Sequence, residues 1–235
     1  MTDQPLKGRV TLVTGASRGI GYFAALALAK AGSHIIALAR TSGALEELDD
    51  EIKAAGGEAT LVPMDLKQPG GLDQLGGIIY ERWGKLDGLL ANAGVLGDIT
   101  PTPQIDPKKW DEVIAVNLTA NARLIHALDP LLRASDHGRA LFVTSSVARR
   151  HKAYWGAYAA SKAGMEALVL TYADEVENSP LKINLYDPQR TRTAMRRKAM
   201  PGEDPETLKH PREISGQITE LLSPANLRHG ELITA

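Results

Sequence analysis

From Arg9 onward the chain alternates short aliphatic runs with longer segments of helical period, an order that leaves few architectures open. The runs are Val10–Val13, Ile35–Ala39, Ala59–Met64, Leu86–Ala91, Ala140–Thr144, Ile183–Tyr186 and Leu232–Thr234. Their near-continuous apolarity is that of strands buried on both faces, which predicts a parallel sheet. Helices are predicted over Gly21–Ala31, Gly43–Ala55, Leu72–Trp83, Pro107–Ser135, Trp155–Asn178 and Pro211–Leu222. Placed on both faces of a seven-stranded sheet, they make a doubly wound α/β fold. Hydrophobic residues at 43% of 235 supply the core. No repeat, low-complexity tract or Ser/Pro linker divides the chain, so one domain over 1–235 is expected. Two irregular stretches, Gly94–Pro103 and Asp187–Pro211, follow strand ends, where open α/β sheets bind their ligands.

Charge and composition exclude several functions. A formal net charge of -1 provides no global positive field for nucleic acid. With no cysteine there is no thiolate nucleophile, disulfide framework or cysteine-ligated metal, so redox chemistry needs a borrowed cofactor. The histidines, at 34, 126, 137, 151, 210 and 229, have no paired ligand spacing, and no catalytic metal is expected. The segment Met1–Arg9 lacks the apolar run of a signal peptide and no stretch approaches the ~20 apolar residues of a membrane span, so a cytoplasmic protein without membrane contact is expected.

The first apolar run leads into Thr14-Gly15-Ala16-Ser17-Arg18-Gly19-Ile20-Gly21 and then into the first predicted helix. A bare G-x-x-x-G-x-G is a weak signal, but between first strand and first helix it acquires a mechanism. Small residues let the backbone approach a pyrophosphate, whose charge meets free N–H groups and the positive end of the helix dipole. The adenine ribose of a dinucleotide usually meets an acid at the end of the second strand. Here that end reads Ala39-Arg40. Arg40 and Arg18 both suit a 2′-phosphate, which favours NADP(H) over NAD(H). Further on, Tyr158-Ala159-Ala160-Ser161-Lys162 puts a phenol and an ammonium on one helix face, where the cation is expected to pull the tyrosine pKa down toward working pH.

Taken together, these segments resemble the short-chain dehydrogenase/reductase family in its compact branch of roughly 250 residues. The landmarks run in the family's order along nearly the whole chain: the Thr14–Gly21 loop, Asp65-Leu66, Asn92-Ala93-Gly94, Asn117, Ser145-Ser146, Tyr158 and Lys162. The resemblance implies a Rossmann sheet in the order 3-2-1-4-5-6-7. It maps the catalytic set onto Asn117, a serine, Tyr158 and Lys162. Tyr158 would exchange a proton with the substrate oxygen as hydride passes to or from the nicotinamide. The serine would hold the same oxygen, Lys162 the nicotinamide ribose, and Asn117 a water leading to solvent. The family's spacing to the tyrosine picks Ser145, whereas anchoring at the strand end picks Ser146. Cofactor contacts map onto Gly15, Ser17, Arg18, Gly19, Ile20, Gly21, Arg40, Asp65, Leu66, Asn92, Ala93, Gly94, Tyr158, Lys162, Pro188, Thr191 and Thr193, Asn92 serving equally well as a plain loop stabiliser. A homo-oligomer, dimer or tetramer, and a small carbonyl or alcohol substrate are also implied.

After the sixth apolar run the family has Pro-Gly, while this chain has Asp187-Pro188-Gln189-Arg190. Gly tolerates positive φ, so Gln189 is expected to crowd the nicotinamide or force another loop path. Arg190, Arg192, Arg196, Arg197 and Lys198 fall in the family's substrate lid, about 187–211, as a site for an anionic substrate or as a solvated helix face. His151, Tyr154 and Trp155 line the pocket or pack an interface. Two functions follow: an NADP(H)-dependent oxidoreductase, or a catalytically silent NADP(H)-binding sensor or scaffold.

Overall fold

All seven aliphatic runs become strands: β1 (Val10–Thr14), β2 (His34–Ala39), β3 (Ala59–Pro63), β4 (Gly88–Ala91), β5 (Arg139–Val143), β6 (Lys182–Asp187) and β7 (Leu232–Thr234). They form one sheet in the order β3-β2-β1-β4-β5-β6-β7, with every neighbouring pair parallel. The computed structural model describes residues 4–235; the first three residues of the N-terminal segment Met1–Arg9 lie outside it.

Side chains alternate across each strand, so the sheet feeds two cores. On β2, Ile36 and Leu38 enter one layer, Ile35 and Ala37 the other. The first layer is closed by α3 (Gly71–Trp83), α5 (Ala120–Arg133) and α6 (Gly156–Glu175) through Leu75, Leu128 and Met165. The second is closed by α1 (Gly19–Lys30), α2 (Ser42–Ala54) and α8 (Pro211–Leu221) through Ala25, Leu48 and Ile218. Each fully buried Leu or Ile contributes about 1.5–3 kcal/mol, which is what holds helices to sheet. The connections reverse direction between β1 and β4, and the crevice at their carboxyl ends is the switch point.

Two local departures from the sequence expectation bear on function. The segment Pro107–Ser135 is not one helix: α4 (Pro107–Ile114), capped by Asp106, passes through a π turn at Ala115–Thr119 into α5. The inserted residue shifts the hydrogen-bond ladder, as π turns do at functional sites. Within that turn Asn117 is completely buried. The second departure is α7 (Ala194–Ala199), inside the stretch read as irregular and opened by Thr193, whose Oγ1 accepts from Arg196 N at 3.1 Å. Six residues are too few to register as a period. Among the described residues no helix is long and apolar enough to cross a membrane.

Candidate active site

The Gly-rich loop sits at the switch point. Gly15 and Gly19 both have positive φ, at +69° and +59°, conformations that a side chain makes costly. Gly21 is in the helix for another reason: a Cβ there would stand 2.3 Å from the Gly15 carbonyl oxygen. Arg18 precedes α1 without a side-chain cap, and no acidic residue occupies the first turn. The helix therefore presents uncapped N–H groups and its positive dipole end to the loop, with Ser17 and Ile20 half-buried beside it. Asn92 staples this loop from β4: its backbone N donates to Thr14 Oγ1 at 3.0 Å and its Nδ2 to Thr14 O at 3.0 Å. Ala93 N joins the same hydroxyl at 3.1 Å. Arg40 and Arg18 are exposed. Asp65 is half-buried and turns back to Lys67 N at 2.9 Å, whereas Leu66 belongs to the core.

Across the crevice lie Tyr158 and Lys162, both on α6 and both buried. Tyr158 packs with Leu96, Val147 and Trp155 in a small apolar cluster, with Met195, Ala199 and Met200 against it. Trp155 meets the phenol ring edge-on at 5.9 Å between centroids. Of the two serines, Ser145 is the one whose hydroxyl pulls the Tyr158 phenol down; Ser146 opens a 3-10 turn, Ser146–Ala148. Asn117 reaches the same region from the π turn. Its Oδ1 accepts from Val95 N at 2.8 Å, and its Nδ2 donates to Val95 O at 2.9 Å and to Ser161 Oγ at 3.0 Å. Gly94 leaves room at this junction, since a Cβ would lie 3.3 Å from Asn117 Oδ1 and 3.8 Å from Lys162 Nζ.

The electrostatics correct one expectation. Burial pushes the Tyr158 phenol up to about 12, Asp187 pushes it the same way, and only the Ser145 hydroxyl pulls it down. Lys162 Nζ stands 6.0 Å from the ring centroid and donates to Val143 O at 2.7 Å. Burial in turn brings the Lys162 ammonium down to about 8, against the favourable field of Glu166.

In the loop after β6, Gln189 takes the left-handed conformation with φ +56°, and its N–H donates to Asp187 Oδ1 at 3.0 Å. The side chain is exposed. Pro188 is buried, and Thr191, also buried, donates to Pro188 O at 2.7 Å. The Thr193 methyl lies 3.5 Å from where a Gly19 Cβ would be, so this loop borders the glycine loop. In the basic stretch, Arg196 pairs with Glu203 at 2.6 Å, Arg192 with Glu206 at 2.9 Å, and Arg190 with Glu203 at 3.8 Å. Much of its charge is thus answered within the segment itself. Of the residues before Tyr158, His151 and Tyr154 are exposed, and Tyr154 has φ +73°.

Reading the sequence missed an ionic group beneath this site. Arg149 pairs with Glu166 on α6 and with Asp187 at the end of β6, the latter at 2.6 Å, and Thr144 donates to the same Glu166 oxygen. Glu166 sits one turn beyond Lys162 on the same helix face, the one signal the sequence held.

The family model for short chain dehydrogenases matches residues 9–204. The chain is 42% identical over 212 residues to YciK, an uncharacterised oxidoreductase of Escherichia coli K12, covering 89% of this chain and 84% of that protein. It is 34% identical over 204 residues to an uncharacterised oxidoreductase of Mycobacterium tuberculosis CDC 1551 named as NAD-dependent, covering 81% and 74%. Among solved structures, a short chain dehydrogenase from Shigella flexneri 2a str. 301 complexed with NADP superposes with a TM-score of 0.95 at 38% identity, covering 99% of both chains. A sheet of this order, a glycine loop at its switch point and this match along 9–204 make the chain a member of the short-chain dehydrogenase family, an oxidoreductase.

Proposed function

We propose that the chain interconverts a carbonyl and a secondary alcohol with NADP(H), Tyr158 carrying the proton. The observation that carries this reading is the buried phenol of Tyr158, flanked by the Ser145 hydroxyl and by Lys162, at the same crevice as the glycine loop. When bound, the nicotinamide would supply or accept the hydride. The residues present fit such a cofactor: Gly15 and Gly21 let the loop close against Asn92, Ala93 and its own backbone where a Cβ would collide, Gly15 and Gly19 take positive φ, and the uncapped α1 terminus suits a pyrophosphate. Asp65, Asn92, Ala93, Gly94, Pro188, Thr191 and Thr193 complete its walls. Arg18 and Arg40, with no acid at the end of β2, favour a 2′-phosphate. The NADP complex of the Shigella relative supports this choice, and the name of the mycobacterial relative favours the other.

In reduction the phenol of Tyr158 donates its proton to the substrate oxygen, and in oxidation the phenolate takes it back. In this reading Ser145 rather than Ser146 orients that oxygen, since its hydroxyl is the one that favours the phenolate. Lys162 holds positive charge beside the tyrosine, and Asn117 fixes the Val95 and Ser161 segments around them. Leu96, Trp155 and Met200 give the substrate carbon an apolar wall. In this reading the chain is one catalytic domain and 187–211 is its lid.

A panel of ketones and dicarbonyls assayed with NADPH and with NADH, following cofactor absorbance, tests the proposal. Turnover selective for NADPH is expected; selective turnover with NADH removes the Arg18/Arg40 argument.

A further inference from the structure

Four charged side chains lie around the Tyr158 site in a balanced set: Asp187, Glu166, Arg149 and Lys162. Asp187 is nearly sealed, its side chain 2% exposed, and Glu166 is 12% exposed. Among the described residues, the one cation within 4.0 Å of either carboxylate is Arg149. Its two terminal nitrogens go to different elements, Nη1 to α6 and Nη2 to the end of β6. Glu166 also takes the hydroxyl of Thr144, the residue before Ser145, and Asp187 also takes the N–H of Gln189. One guanidinium therefore ties together the three segments that deliver Ser145, the Tyr158–Lys162 pair and the Pro188–Thr193 loop. A buried carboxylate stripped of its partner is strongly unfavourable, so this tie has force.

Resting on the oxidoreductase reading above, we propose that Arg149 is a positioning residue for the reaction: it locks the three segments in one arrangement and cancels the two carboxylates that border the phenol and the ammonium. The charged and polar groups facing Tyr158 are few. They are Ser145 from the loop after β5, Asp187 from β6 and Lys162 from its own helix; from the lid side Met195, Ala199 and Met200 pack against the cluster. Lys152 lies beyond Trp155, 5.0 Å from that ring. Without Arg149 the set carries one uncompensated negative charge beside the phenol, which favours its protonated form.

The test compares wild type with Arg149→Met, Arg149→Lys and the double variant Arg149→Met/Asp187→Asn. Each is assayed for NADPH dissociation constant, kcat, carbonyl KM and pH profile. In Arg149→Met we expect kcat to fall about tenfold or more with KM within about twofold, since Arg149 is argued to act through other residues. The pH inflection moves upward, and NADPH binds several-fold more weakly as the Pro188–Thr193 loop loosens. Arg149→Lys keeps a charge but not the two-armed bridge and recovers only part. Asp187→Asn removes the stranded charge while keeping an oxygen for Gln189 N, and returns the inflection and the NADPH affinity toward wild type. An Arg149→Met protein with unchanged kcat, inflection and NADPH affinity, even if less thermostable, overturns the proposal, as does a loss confined to KM. Should Arg149→Met fail to fold, Arg149→Lys is held to the same criteria. If wild type binds NADPH but turns over no carbonyl, the oxidoreductase reading falls by itself, and the NADPH affinities with their recovery in the double variant decide the role of Arg149.

Discussion

At the first βα turn the site is made of missing side chains, whereas around Tyr158 it is made of buried charge. Gly15 and Gly21 work by letting backbone pack where a Cβ would collide, Gly19 by its positive φ, and their neighbours Thr14 and Asn92 hold that backbone still. On the other side Lys162, Glu166, Asp187 and Tyr158 are ionisable groups taken largely out of water, where each depends on its partners. The first half should respond to added volume and be indifferent to pH. The second should respond to charge and protonation.

The largest stability effect expected is in the first half. Gly21→Val would drive a branched side chain into the Gly15 carbonyl, 2.3 Å from its Cβ, and overpacking against backbone costs ~3 kcal/mol or more. Thermal melting should fall by roughly 6–12 °C with no dependence on pH between 6 and 9. An unchanged melting temperature would show that the turn has room to spare.

Next in size is Lys162. Its pKa falls from the ordinary 10.5 to about 8 on folding because burial disfavours the ammonium. Between those values the unfolded chain binds a proton that the native one does not, so stability rises with pH across that window, by at most about 3 kcal/mol. Lys162→Met should melt higher than wild type near neutral pH, lose this rise, and lose turnover. Calorimetry from pH 7 to 10 checks it, and a variant less stable at neutral pH would mean that the Val143 bond outweighs desolvation.

Arg40→Gln sharpens the contrast from the exposed rim. Losing a charge-assisted bond to a 2′-phosphate should weaken NADPH binding by about 1.5–3 kcal/mol and leave NADH unchanged, as fluorescence titration would register. Smallest is Gln189→Gly, which relieves a left-handed φ of +56°. Part of that gain is offset by the freer unfolded chain, so a rise of about 1 kcal/mol or less is expected in denaturant melts.

The same contrast explains what could be read from the sequence. Sheet order, both helix layers and the glycine loop follow from local pattern and from family likeness, because periodicity and small residues are properties of neighbours in the chain. The π turn at Asn117 did not announce itself, since one inserted residue leaves the apolar stripe of α4 and α5 almost intact. Nor did the Arg149 group: its three members lie at positions 149, 166 and 187 on separate elements, and only folding brings them together. How Gln189 is held was not legible for a similar reason. A side chain pointing to solvent and an Asp187 oxygen beneath its N–H allow a conformation that residue type alone argues against.

The most direct test of the central claim is a paired experiment on Tyr158→Phe and wild type, with NADPH titration and carbonyl turnover measured on the same samples. The account predicts NADPH affinities within about threefold of each other and turnover lower by about 100- to 10,000-fold in the variant, the usual contribution of a positioned acid or base. Comparable turnover in both proteins, or loss of NADPH binding on removal of one hydroxyl, would contradict it. Tight NADPH binding with no turnover in wild type would instead mark the chain as a silent NADP(H)-binding protein.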